Sequence, residues 1–147
     1  MDATDRKILQ CLRANARENA SVIGEKVNMS VSAVIERIRK LENAGIIRQY
    51  TVVLDMDQLG QGVIAYISVA IESPRHMDEF IQFIKQYAPV TCCHYVTGEY
   101  DFYLVVHTDS TNALEQVIKD IKNVPGVART KTQVVLSTIK NDFSYHI

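Results

Sequence analysis

The stretch from Ser30 to Gly45, SVSAVIERIRKLENAG, has both ends of a helix written into it. Ser30 is a good N-cap, because its hydroxyl can accept a bond from a first-turn amide, and Gly45 can take the left-handed conformation that ends a helix. Val34, Ile38 and Leu41 recur at helical spacing and predict one buried stripe. Ser32, Ile35, Glu36, Arg39 and Asn43 fall on the opposite side, with Arg37 and Lys40 on the flanks. The exposed side is polar and partly basic.

A shorter helix is expected before it. Asn19 can cap a segment running to about Val27, with Ile23 and Val27 inward and the small Gly24 between them, where two helices can cross closely. Asn28-Met29-Ser30 then reads as a tight turn. A short helix, a turn and a longer capped helix carrying cations is the helix-turn-helix pattern, whose second helix enters the DNA major groove. An ordinary helical hairpin with a solvated charged face shares that pattern, so periodicity leaves both readings open.

Charge is unevenly placed. The formal net charge of −1 does not suggest a nucleic-acid binder. Residues 1–50, however, hold nine Lys and Arg against six Asp and Glu, and the remainder seven against eleven. A basic head on an acidic body fits a phosphate-contacting module joined to something that avoids DNA. Three cysteines without a CxxC spacing, and no basic-then-apolar leader, point to the cytoplasm. No apolar run approaches the ~20 residues of a membrane helix, so no membrane partner is expected.

Asp2 and Asp5 have the spacing of a capping box opening a first helix that runs to about Ala14, with Ile8, Leu9 and Leu12 inward. After Gly45 the period changes: Ile46 to Leu54 is rich in β-branched residues and is expected to be extended, as a wing or a linker. Turn and breaker residues follow from Asp55 to Gly62, which places a domain boundary there.

The second half alternates strand and helix. Strands are expected over Val63–Glu72, Val90–Val96, Tyr100–His107 and Val127 to about Ile139, and helices over Met77–Ala88 and from a cap at Ser110 or Asp109 to Pro125. The order βαββαβ is the ferredoxin-like plan, an antiparallel sheet with both helices on one face. Tyr66, Val69 or Ile71, Tyr103, Val105 and Val135 are too apolar for a water-facing second side, which predicts a sheet-to-sheet homodimer. The fold class is therefore α+β: a three-helix winged helix-turn-helix over residues 1–50, an extended linker over 51–62, and a ferredoxin-like domain over 63–147.

Asp5-Arg6-Lys7-Ile8-Leu9, Asn15-Ala16-Arg17, Ser30 to Val34, Arg37 to Glu42, Gly45-Ile46-Ile47 and Gly98-Glu99-Tyr100-Asp101 together resemble the Lrp/AsnC family of feast-or-famine transcription regulators. The likeness covers essentially the whole chain. It implies a sequence-specific regulator of double-stranded DNA. It also implies a C-terminal sensor domain that dimerises and often builds octamers, with an amino-acid effector bound between dimers near the Gly-x-x-Asp turn. Two departures stand out: Val31 where a proline is common, and Gly24 in place of a frequent alanine, expected to loosen the second helix by up to about 1 kcal/mol.

Ser32, Ile35, Glu36 and Arg39 are the candidates for base edges, Arg39 for a guanine and Ile35 for a thymine methyl, with Ser30 at the helix start. Arg37, Lys40 and Arg48 are the candidates for phosphates, although Arg37 and Glu36 can instead pair with neighbouring helices. For the effector, Gly98 allows amides to face a carboxylate, Asp101 can meet an α-ammonium, and Tyr100 belongs to the same turn. By residues alone a hairpin whose Asp bonds its own turn is the favoured reading, and it is the resemblance that favours the effector. Thr130 and Thr132 are weaker candidates for polar lining.

Cys92, Cys93 and His94 suggest a metal, but strand alternation puts Cys92 and His94 on one face and Cys93 on the other, and no second His/Cys cluster exists. A buried thiol pair beside a partly exposed His is the expectation. His76, His107 and His146 stand singly, so no catalytic site, metal or cofactor is expected. The leading reading is an effector-responsive, nucleoid-associated regulator. The alternatives are an effector-blind architectural protein that wraps DNA, and a ferredoxin-like metabolite-binding module or small enzyme.

Overall fold

The computed structural model describes residues 1–60 and 62–141, so His146 lies outside the described residues. Among the described residues the chain divides into two compact units, one of Met1–Val53 with residues 140 and 141, the other of Leu54–Ile139. No helix among the described residues is long and apolar enough to cross a membrane.

Three helices make the first unit: α1 (Ala3–Ala14), α2 (Ala20–Val27) and α3 (Val31–Asn43). The capping box of α1 forms as its spacing predicts, with Asp2 Oδ1 accepting from the Asp5 amide and Asp5 Oδ2 from the Asp2 amide, both at 2.8 Å. Ile8, Ile23 and Val34, one from each helix, are fully buried and form the centre of the core. Asn19 holds the N-cap position of α2, yet its side chain makes no cap bond. Packing of Ile23 and Gly24 therefore holds this eight-residue helix, which is too short to persist by itself.

Among the described residues between α3 and the first strand, none belongs to a β-strand. Of the two forms expected for Ile46 to Leu54, wing or linker, the chain takes the linker form: no strand is present there. Val52, Val53 and Leu54 are all more than half exposed.

The second unit is a four-stranded antiparallel sheet of β1 (Val63–Ile71), β2 (Val90–Tyr95), β3 (Phe102–Thr108) and β4 (Val127–Val134), in the order β2-β3-β1-β4. Helices α4 (Met77–Gln86) and α5 (Thr111–Lys122) cover one face. Ser110, not Asp109, caps α5, accepting from the Ala113 amide at 3.1 Å. Ala65, Ile67, Val69, Phe102, Leu104 and Val106 point into this core with Phe80, Ile84, Leu114, Val117 and Ile121. Val69 or Ile71 was expected on the open face, and both belong instead to the covered one: Val69 has no exposure and Ile71 packs against the same core. β1 is apolar on both sides, so its residue types did not decide which parity faces the helices.

The open face carries Tyr66, Ser68, Tyr103 and Val105, placed together by the pairs Tyr66↔Val105 and Ser68↔Tyr103. The rings of Tyr66 and Tyr103 stack at 5.4 Å.

Candidate DNA-contacting helix and sensor turn

Asn28 at φ 54° turns the chain between α2 and α3, and Ser30 accepts from the Ala33 amide at 3.3 Å. Gly45, at φ 68°, lets the Ile46 and Ile47 amides fold back onto the Leu41 carbonyl. Both ends of α3 are thus closed by the residues that predicted them.

Ser32, Ile35, Glu36 and Arg39 all lie exposed along one side of α3. Arg39 makes no hydrogen bond or salt bridge among the described residues, and its charge acts on neighbouring Glu36. Glu36 and Lys40 pair with each other at 2.8 Å in an exposed, water-screened contact. This holds the Glu36 carboxyl below the usual range, through its bond to Lys40. Arg48 stands exposed on the linker, which Tyr50 draws towards α3 through a 3.0 Å bond to Glu42 Oε1. The Ser30 hydroxyl lies 3.2 Å from that of Ser32. Arg37 differs from the other cations: its Nη1 donates to Asp2 Oδ2 and Asp5 Oδ1, each at 2.7 Å.

In the second unit, Gly98 at φ 123° makes the turn that joins β2 to β3. The Asp101 carboxylate takes a 2.7 Å bond from the Ile71 amide, and the Asp101 amide donates to the Val69 carbonyl at 2.9 Å. The carboxylate therefore pins the turn to the end of β1, a neighbouring strand, while the Asp101 carbonyl closes the turn itself by accepting from the Val96 amide at 2.8 Å. Thr130 and Thr132 pair with Val69 and Ile67, so they belong to the helix-covered side of β4.

Arg129 completes the turn and was not a sequence candidate. Its Nη1 meets Glu99 Oε1 at 2.8 Å, its Nη2 donates to the Glu99 carbonyl at 3.2 Å, and its guanidinium lies 4.9 Å from the centre of the Tyr100 ring. No local signal joins residues thirty apart; only the placing of β4 beside β1 does so.

Cys92 and His94 share the open face as alternation predicts, with Sγ 3.0 Å from Nε2. The expected buried thiol pair is not formed: Cys92 is partly exposed and Cys93 is exposed. β2 is an edge strand, with a neighbouring strand on one side only. No group of three or more metal-ligating side chains occurs among the described residues.

Two family descriptions match the chain, the AsnC-type helix-turn-helix domain over residues 1–42 and the Lrp/AsnC ligand binding domain over residues 63–145. An uncharacterised HTH-type transcriptional regulator of Pyrococcus horikoshii is 33% identical over 143 residues, covering 97% of this chain and 96% of its own. Among solved structures, a transcriptional regulator from Neisseria meningitidis in complex with L-Met superposes with a TM-score of 0.94 at 32% identity. That match covers 99% of this chain and 96% of the other. A feast or famine regulatory protein from M. tuberculosis, complexed with L-methionine, gives 0.91 at 28% identity, covering 98% and 97%.

A helix-turn-helix head and a separate βαββαβ domain, matched over their whole length by such proteins, define a DNA-binding transcriptional regulator. The chain belongs to the Lrp/AsnC family.

Proposed function

We propose that α3 reads a specific duplex with Ser32, Ile35, Glu36 and Arg39 at base edges, while Ser30, Lys40 and Arg48 meet phosphates and set position and salt dependence. The observation that carries this is the exposed side of α3, where the Arg39 guanidinium makes no hydrogen bond among the described residues. Two heads act together on half-sites about one helical turn apart, because the open sheet face bearing Tyr66, Tyr103 and Val105 packs on a second copy.

The effector is an amino acid held near Gly98, Tyr100 and Asp101 between dimers, with Thr130 and Thr132 as more distant lining. The methionine complexes of two relatives support this class of ligand. Binding favours one assembly, up to an octamer, and so changes how many heads engage DNA together. The protein acts on nucleoid DNA in the cytoplasm and is not an enzyme.

The test is molar mass by light scattering and thermal stability, each with and without a panel of amino acids that begins with methionine. A ligand specific for the folded state raises the unfolding temperature. One amino acid that shifts both mass and stability supports the reading. Large assemblies indifferent to every amino acid would favour an architectural DNA-wrapping protein instead.

A further inference from the structure

Each carboxylate of the α1 capping box uses one oxygen for the cap and the other for Arg37. Asp2 gives Oδ1 to the Asp5 amide and Oδ2 to Arg37, while Asp5 gives Oδ2 to the Asp2 amide and Oδ1 to Arg37. All four bonds lie between 2.7 and 2.8 Å. The contact joins residues 35 and 32 positions apart, and the Asp5 side chain is only 14% exposed, so water screens it less than an ordinary surface pair. With one cation against two carboxylates the cluster is net negative, which opposes a phosphate.

We infer that Arg37 is a positioning residue, a strut that ties α3 to the start of α1 and sets the rotation at which Ser32, Ile35, Glu36 and Arg39 are presented to DNA. Successive residues on a helix are turned by about 100°, so one anchored flank fixes the azimuth of all the others. Arg37 directly follows Glu36 and stands two positions before Arg39. The inference rests on the reading of α3 as the base-contacting helix, and it removes Arg37 from the phosphate contacts expected from sequence.

The experiment compares the wild type with Arg37→Gln, Arg37→Lys and the double variant Asp2→Asn, Asp5→Asn. Affinity is measured across a salt series on a duplex selected by the wild type from a random pool, and on an unselected duplex. Asparagine still caps a helix, and the helical content of each variant is checked by circular dichroism. A strut predicts that Arg37→Gln and the double Asn variant both lose about tenfold on the selected duplex, the worth of one good base contact. Neither should change much on the unselected duplex, the salt slope should hold, and Arg37→Lys, which keeps the charge, should recover part of the loss.

A phosphate contact predicts the opposite pattern: Arg37→Gln weakens both duplexes and lowers the salt slope by about 0.9. The double Asn variant, having shed two negative charges, would then bind more tightly, and this sign overturns the inference. A wild type that prefers no duplex overturns the base-reading role of α3 and the strut with it. That failure shows in the wild type alone, before any variant is compared.

Discussion

A β-carbon added to Gly24 would stand 2.6 Å from the carbonyl oxygen of Met29, closer than side chains approach a backbone. The glycine in α2 is where the turn into α3 folds back against the helix, and Met29 N bonds to the Gly24 carbonyl at 2.9 Å. Intrinsic propensity alone would favour alanine here by up to about 1 kcal/mol, but the obstacle is backbone, which has little freedom to yield. Gly24→Ala is expected to destabilise the first unit by about 1–3 kcal/mol, measured by denaturant unfolding. A gain in stability would show that the turn relaxes freely.

Acid should loosen the first unit through the cluster at its amino end. The Asp5 backbone bond and then Arg37 hold the Asp2 carboxyl below the ordinary aspartate range, and the Asp2 backbone bond and then Arg37 do the same for Asp5. A depressed folded value means that this stability is present above about pH 4 and is lost as pH falls through the folded values. Unfolding temperatures measured from pH 6 down to pH 2 should fall more steeply for the wild type than for Asp2→Asn, Asp5→Asn. Parallel curves would contradict the linkage.

Tyr87 donates to Asp120 at 2.6 Å, and Gln116 donates to the other oxygen of that carboxylate at 2.7 Å. Burial and then the Asp120 bond push the phenol well above its usual range. This contribution is complete below about pH 10 and is lost as the phenol ionises. Tyr87→Phe is expected to cost about 1–2 kcal/mol at neutral pH. It should also remove the latest-ionising phenolate from an alkaline absorbance titration.

Arg129→Ala should release the turn at Glu99 and Tyr100 while leaving the Asp101 bond to Ile71 in place. The expected outcome is a fold retained by circular dichroism, with a smaller rise in unfolding temperature on adding the effector amino acid. An unchanged rise would remove Arg129 from the sensor.

Val105→Asp places a charge on the open sheet face between Tyr66 and Cys92, its register partners on either side. Light scattering should then show the mass falling to that of one chain. A mass equal to that of the wild type would move the dimer contact elsewhere.

What the residues disclosed follows from the range of each interaction. The ends of α3 and the capping box of α1 depend on side chains within three or four positions of the amides they meet, so Ser30, Gly45, Asp2 and Asp5 could be read directly. Periodicity likewise marked the five α-helices and four strands of the described residues, but not the short 3-10 turn at Pro74–His76; β3 begins at Phe102, after Tyr100 and Asp101 have been used in the turn, and β4 stops at Val134. What could not be read required knowing which distant segments meet. Arg37 finds its carboxylates on another helix, Arg129 finds Glu99 across the end of β1, and Val69 was misassigned because β1 carries apolar side chains on both faces. The exposure of Cys93 needed the knowledge that β2 is at an edge.

The strand order has a consequence in time. Central β1 is the first strand of its unit to be synthesised, yet Val63 pairs with Thr108 and Ala65 with Val134. Contacts of such sequence separation close slowly, and a chain leaving the ribosome must expose β1 until nearly all of the unit has emerged. The three helices lie within Ala3–Asn43, and Ile8, Ile23 and Val34, which centre their core, come from segments close in sequence. A nascent chain can therefore carry a finished DNA-contacting head before the sheet proposed to pair and restrain it exists.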